Sequence, residues 1–203
     1  MKHEIYLDKE KTKPFTDYEI DTEGYAILKY GEFYVFGNSK VSAYRYSIIN
    51  AYDNSKVNAY GKTEVFAFDK TEVFAWDKAK VRAWNRSEVC ASHQVEVRAW
   101  DKAEVVAWDR VRVWANDEAE VDAYNKSKVY ATHQAKVYAT HQAKVWAYNK
   151  TKVNANDYSK VVAYHQAKVD AYDDAAVLAR KEFFVFFNQV EVTTYARAKV
   201  FYK

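Results

Sequence analysis

The side chains with the most obvious chemical capacity in this 203-residue chain are one thiol, a set of imidazoles and a long series of lysines. His93, His133, His141 and His165 are each followed by glutamine, and Cys90 stands near Ser92 and His93. Imidazole pairs with a nearby carboxylate are zinc-ligand chemistry, and a thiol beside an imidazole is the start of a nucleophile. Neither develops further. His-Gln occupies the place that Asp-Lys occupies elsewhere in the chain, so corner hydrogen bonding accounts for it. No buried acid or oxyanion arrangement accompanies Cys90, and there is no Gly-rich phosphate loop or Cys-x-x-Cys pair. The expectation is a protein without catalytic residues, metal or cofactor. Cys90 is the only cysteine, so a disulfide requires a second chain.

Lysines and aromatic rings carry more information. Glu64, Glu72, Glu88, Glu96, Glu104 and Glu120 give way to Lys128, Lys136, Lys144, Lys152, Lys160 and Lys168, a basic collar on the C-terminal half. Interleaved Tyr130, Tyr138, Trp146, Tyr148, Tyr164 and Tyr172 allow phosphate contact with ring stacking, or packing on a protein. A solvated lysine face that discourages aggregation is the structural reading of the same residues. Rings projecting outward point in the same way either to ladder stability or to a binding face centred on Trp76, Trp100, Trp108, Trp114, Tyr124 and Trp146. The net charge of +3 is too small to name a nucleic-acid partner by itself.

The scaffold positioning these residues is an eight-residue repeat. From Val41 to Val177 every eighth residue is valine, with Ile49 the one exception, and each is followed two positions later by alanine, from Ala43 to Ala179. The octad reads small, x, Val, x, Ala, aromatic, Asp/Asn/His, Lys/Gln. Its first, third and fifth positions share a period of two, which places them on one face of a strand. Asp, Asn or His at the seventh position tolerates a left-handed dihedral, so the chain turns there. Helical periodicity separates valine from alanine, and independent hairpins require Asn-Gly or Gly-Gly turns throughout. A parallel β-solenoid with small inward side chains fits.

Taken every third octad, the sixth position gives an unbroken ring series: Tyr52, Trp76, Trp100, Tyr124, Tyr148 and Tyr172. This spacing predicts a triangular coil of three octads, 24 residues, with about seven coils and a rod of roughly 30–35 Å. In that coil His93, Asp117, His141 and His165 share an edge, with His141 and His165 in neighbouring coils. The repeat itself spans residues 33–182. Residues 1–32, with the only proline at Pro14, are expected to form an N-terminal cap or small module. Residues 183–203 are expected to form a C-terminal cap, with Phe183, Phe184, Phe186 and Phe187 plugging the last coil or pairing with another chain as a homodimer.

Units such as Ser55-Lys56-Val57-Asn58-Ala59-Tyr60 and Ala143-Lys144-Val145-Trp146-Ala147-Tyr148 resemble the octapeptide repeats of β-solenoid proteins encoded by gut and oral bacteria and their phages or mobile elements. The small-x-Val start is also similar to the hexapeptide repeats of left-handed β-helices, enlarged by two residues. The resemblance covers residues 33–192 and implies architecture, without functional residues to carry over. It suggests an anti-defence inhibitor as one concrete activity. The expected function is therefore a rigid, non-enzymatic rod that blocks or scaffolds a macromolecular partner, most simply a protein. Structural self-assembly or a fibre module is the alternative, and a nucleic-acid-binding solenoid using the basic half is a third. An ice-binding face would need a sustained outward Thr-x-Thr array, whereas Thr132 and Thr140 are isolated. No membrane span or secretory signal is visible, so the expected compartment is the cytoplasm.

Overall fold

The computed structural model describes residues 3–180, 190–195 and 197–202. Every regular element in it is a strand. The first six are β1 (Glu4–Tyr6), β2 (Glu19–Ile20), β3 (Ala26–Leu28), β4 (Glu32–Phe36), β5 (Lys40–Ala43) and β6 (Ile48–Ala51). One strand per octad follows, from β7 (Lys56–Ala59) to β21 (Lys168–Ala171), and then β22 (Ala176–Ala179), β23 (Glu191–Thr194) and β24 (Lys199–Tyr202). The even-numbered strands from β4 onward, with β1, form one 12-stranded sheet, here sheet A, in the order β1-β4-β6 through β24. The odd-numbered strands from β3 onward, with β2, form sheet B. Among the described residues no helix is long and apolar enough to cross a membrane.

The fold is the expected parallel β-solenoid, but its coil is shorter than the ring spacing predicts. Val81 pairs with Val97, Val105 with Val121 and Val129 with Val145, so each strand sits on the one 16 residues away and two octads close a coil. The 24-residue triangle is thereby corrected to a flat, two-sided coil. From β4 to β24 the stack is about 48 Å long at 4.8 Å per step, longer than the three-octad estimate.

The residues explain the choice. Three inward positions per octad would line a wide triangular lumen, which alanine, serine and threonine cannot fill. Two sheets face to face need only such small side chains: the valines Val57 to Val177 and the alanines Ala43 to Ala179 lie at or near zero exposure. The corners reverse the chain tightly. The first-position N–H donates to the sixth-position carbonyl, as Ser55 to Tyr52 (3.3 Å) and Ala103 to Trp100 (3.1 Å). Each seventh position is left-handed, including Asp53 (φ 60°), Asn85 (φ 59°) and His141 (φ 57°). Asp, Asn and His tolerate that region better than other side chains, and Gly61 takes it at one corner (φ 70°). Carboxylates at the corners also link coils: the Gly37, Asn85 and His141 N–H groups donate to Asp53, Asp101 and Asp157, at 2.9, 3.1 and 3.1 Å.

The two ends are built differently. β1 runs antiparallel to β4 with Ile5 opposite Val35, and β2 runs antiparallel to β3. Ile5 is buried and the Phe15 ring packs on Phe33 at 4.9 Å. At the other end β23 and β24 continue the parallel register, Val192 on Val169 and Val200 on Val177. Val192 and Val200 are only half-buried, and Phe201 and Tyr202 are exposed. Phe183, Phe184, Phe186 and Phe187 lie outside the described residues.

Candidate functional site

Folding in 16-residue coils sorts the outward residues into separate rows, and the proposed binding residues do not share one surface. Sixth-position rings stack along both edges of the rod. On the edge following the sheet A strands, Phe36, Tyr52, Phe68, Trp84 and Trp100 form a continuous stack with centroids 4.8–5.0 Å apart. Asn116 and Thr132 interrupt it before Tyr148 and Tyr164 resume at 4.7 Å. The opposite edge carries Tyr44, Tyr60 and Trp76, then a break at Ser92, then Trp108 and Tyr124 at 5.9 Å. Trp76, Trp108 and Tyr124 therefore belong to one edge and Trp100 and Tyr148 to the other.

Trp114 and Trp146 belong to neither. They are fourth-position residues on the outer face of sheet A, where Tyr130 lies between them at 5.7 and 4.7 Å. The Arg98 guanidinium lies 5.7 Å from the Trp114 ring centre, and Arg82 lies 4.8 Å from that of Phe66. Rings and guanidinium groups thus cover one another's faces along this row.

Where serine or threonine replaces an edge ring, its hydroxyl bonds the next coil's corner residue. Ser92 Oγ donates to Asp109 (2.9 Å), Thr140 Oγ1 donates to Asp157, and Asn149 Nδ2 donates to Thr132 Oγ1 (2.9 Å). The Thr140 hydroxyl, followed by the His141 N–H, holds the Asp157 carboxyl below its usual value. At these three rungs histidine takes the corner, as His93, His133 and His141, while His165 follows the ring of Tyr164. His93 and His141 lie on one edge and His133 and His165 on the other, so His141 and His165 are not neighbours. Among the described residues no group of three His, Cys, Asp or Glu side chains is arranged to hold a metal. Cys90 is half-buried on the outer face of sheet B, where burial and then Glu88 and Glu72 push its thiol upward, opposing the thiolate that nucleophilic chemistry needs.

The collar of six lysines separates into Lys128, Lys144 and Lys160 on sheet A and Lys136, Lys152 and Lys168 on sheet B. Two long grooves follow from the octad, because eighth- and second-position side chains rise on either side of an inward first position. The sheet B groove contains the cations Lys70, Arg86, Lys102, Lys136, Lys150, Lys152 and Lys168 against Glu72, Glu88, Glu104, Glu118, Glu120 and Glu191. Its charges are balanced in number, and three pairs close within the groove: Lys136 meets Glu120 at 2.5 Å, Lys168 meets Glu191 at 2.8 Å and Lys102 meets Glu118 at 3.6 Å.

The sheet A groove contains Lys62, Lys78, Lys80, Arg110, Arg112, Lys126, Lys128, Lys144 and Lys160 against only Glu64 and Glu96. Both carboxylates are engaged, Glu96 by Arg112 at 2.5 Å and Glu64 by Lys80 at 3.5 Å. Among the described residues Lys78, Arg110, Lys126, Lys128, Lys144 and Lys160 have no carboxylate within ion-pair distance. This groove has the more one-sided charge of the two. Reading the sequence by halves hid it, since its cations come from alternate octads. The signal that would have found it is charge at sixteen-residue spacing: Lys56–Glu72, Glu64–Lys80, Glu96–Arg112, Lys102–Glu118 and Glu120–Lys136 are all ion pairs. Comparison with protein-family models, with curated proteins and with solved structures finds no match to this chain.

Proposed function

We propose that this protein is a rigid, non-catalytic interaction rod whose sheet A groove engages an acidic macromolecular partner, blocking or scaffolding it. The charge difference between the two grooves carries the reading. Nine cations against two acids line one groove, whereas seven face six in the other. Unpaired like charges aligned at the coil spacing repel one another, and a bound polyanion removes that repulsion. In the setting suggested by the octapeptide-repeat resemblance, the rod is a cytoplasmic bacterial or phage protein, and obstruction of a defence complex is one form of the activity.

Charge reversal tests the reading. Lys128→Glu with Lys144→Glu on sheet A should abolish retention on an anionic matrix at low salt, while Lys136→Glu with Lys152→Glu on sheet B should leave most of it. Equal losses from both pairs would overturn the assignment to one face.

Self-assembly is a second reading, favoured by the last coil. Among the described residues nothing pairs with the outer edges of β23 and β24, and Tyr202, at a position buried in other coils, is 68% exposed. Light scattering across a concentration series distinguishes this reading: assembly raises the mass with concentration without added partner, and Tyr202→Lys should suppress the rise.

A further inference from the structure

We propose that the sheet A groove is a backbone-binding site for single-stranded nucleic acid, which it holds by its phosphates without reading base sequence. This deepens the groove reading above and rests on it. The first observation is continuity. From the coil of Glu64 to that of Lys160 the second-position row advances six steps, about 29 Å, with cations in the eighth-position row beside it. A linear lattice of charge fits a linear carrier of charge, whereas a folded acidic protein with a curved surface meets only part of it.

The second observation is what the groove does not offer. Strand N–H and C=O groups are consumed between coils, as in Lys128 N–H to the Val111 carbonyl (2.9 Å) and Lys144 N–H to the Ser127 carbonyl (3.0 Å). Unpaired sheet edges therefore lie at the rod's ends, not beside the groove, and an extended acidic peptide finds no backbone partner there. Stacking surface is confined to the groove's two ends, where the Tyr46 and Tyr158 rings are exposed; on the face between them Trp114, Tyr130 and Trp146 cover one another and Arg98 covers Trp114. What remains is point-charge recognition by lysine, matched by phosphodiesters whose charge sits on the backbone.

The test is fluorescence anisotropy of the full chain with labelled single strands of about 20 nucleotides, namely oligothymidylate, mixed-sequence DNA and mixed-sequence RNA, with polyglutamate in parallel. The three strands should bind within about threefold of one another, and log K should fall with log salt with a slope near −4 for about six phosphate contacts. Lys126→Glu/Lys128→Glu/Lys144→Glu should weaken binding more than tenfold, while Lys136→Glu/Lys150→Glu/Lys152→Glu in the sheet B groove should cost less than threefold. All six lysines are exposed, and a thermal melt of each variant separates lost binding from lost fold. Polyglutamate binding without oligonucleotide binding would overturn the nucleic-acid assignment and keep the groove reading. Binding of neither would overturn both. A mixed-sequence strand held more than tenfold tighter than oligothymidylate would overturn sequence neutrality.

Discussion

The two grooves are made by the same octad, at equivalent corners, with the same rise per coil, yet one is electrostatically closed and the other open. In the sheet B groove, Glu72, Glu88, Glu104 and Glu120 stand in one row and cations flank or follow them, so ion pairs form along the rod. In the sheet A groove the corresponding row is Glu64, Lys80, Glu96, Arg112, Lys128, Lys144 and Lys160, and once two acids are paired the rest of the row has none left. The difference shows that charge in a solenoid is organised by the coil length. A chain that looks like an acidic half followed by a basic half becomes a nearly balanced shoulder opposite a cationic one.

The largest expected effect comes from breaking the phase between octads and faces. Deleting residues 103–110 removes one octad and moves everything downstream to the opposite sheet. Lys62, Lys78 and Lys80 stay on one side while Lys126, Lys128, Lys144 and Lys160 move to the other. Deleting residues 103–118 removes a whole coil and preserves the faces. In the single-octad deletion Lys126, Lys128, Lys144 and Lys160 follow Lys70 and Lys102, so Lys70→Glu with Lys102→Glu should weaken polyanion binding about tenfold there, whereas in the double deletion the same pair should cost less than about threefold at equal ionic strength. A 24-residue coil would give no such contrast.

Ring stacks provide the next test, comparing continuous and interrupted edges. Trp84 lies between Phe68 and Trp100, each within 4.9 Å, and Trp84→Ala should cost about 2–4 kcal/mol in denaturant unfolding. Trp108 has one stacking neighbour, Tyr124, and is 40% exposed, so Trp108→Ala should cost about 1–2 kcal/mol. Reversal of that order would show that the edge rings contribute little to stability and leave them to binding.

Smaller effects separate the grooves themselves. A double-mutant cycle on Glu120 and Lys136 should give a small favourable coupling that shrinks with salt, because the pair is exposed. Lys144→Ala in the sheet A groove should be neutral or slightly stabilising at low salt, since it relieves repulsion without breaking an ion pair. The smallest effect belongs to Asp157. Its folded-state pKa is depressed, so its contribution is present above the unfolded value and is lost as pH falls through the folded one, below about pH 4. Thr140→Val should flatten that acid loss in a pH series of melts, with a difference below about 1 kcal/mol.

Strand and corner were both legible in the octad. Alternation of small residue, valine and alanine identified the inward face, and Asp, Asn and His marked the left-handed corners. The number of octads per coil was not, because rings at the sixth position stack as well in runs of every second octad as they align in every third. Phe36 through Trp100 is such a run, and Asn116 and Thr132 are breaks that a 24-residue spacing happens to step over. Side-chain volume and the sixteen-residue charge pairs decide between the two. The candidate site depended on the same choice. Lys128, Lys144 and Lys160 were visible as basic residues, but their company with Lys62, Lys78 and Arg110 follows only from the correct coil. Trp114 and Trp146 likewise separate from Trp100 only when alternate octads are assigned to opposite faces.

A pairing distance of sixteen residues, repeated along the rod, also sets how the chain acquires its structure. Each coil needs only the coil beside it, so the sequence distance to be closed is the same at every step and does not grow with the length of the rod. Such an array behaves as a one-dimensional chain of coupled units, with growth from whichever adjacent coils order first. Its weakest couplings are where stacked rings give way to Asn116 and Thr132 on one edge and to Thr140 and Asn156 on the other. Amide protons around those neighbouring coils should exchange before those beneath the Phe36–Trp100 stack.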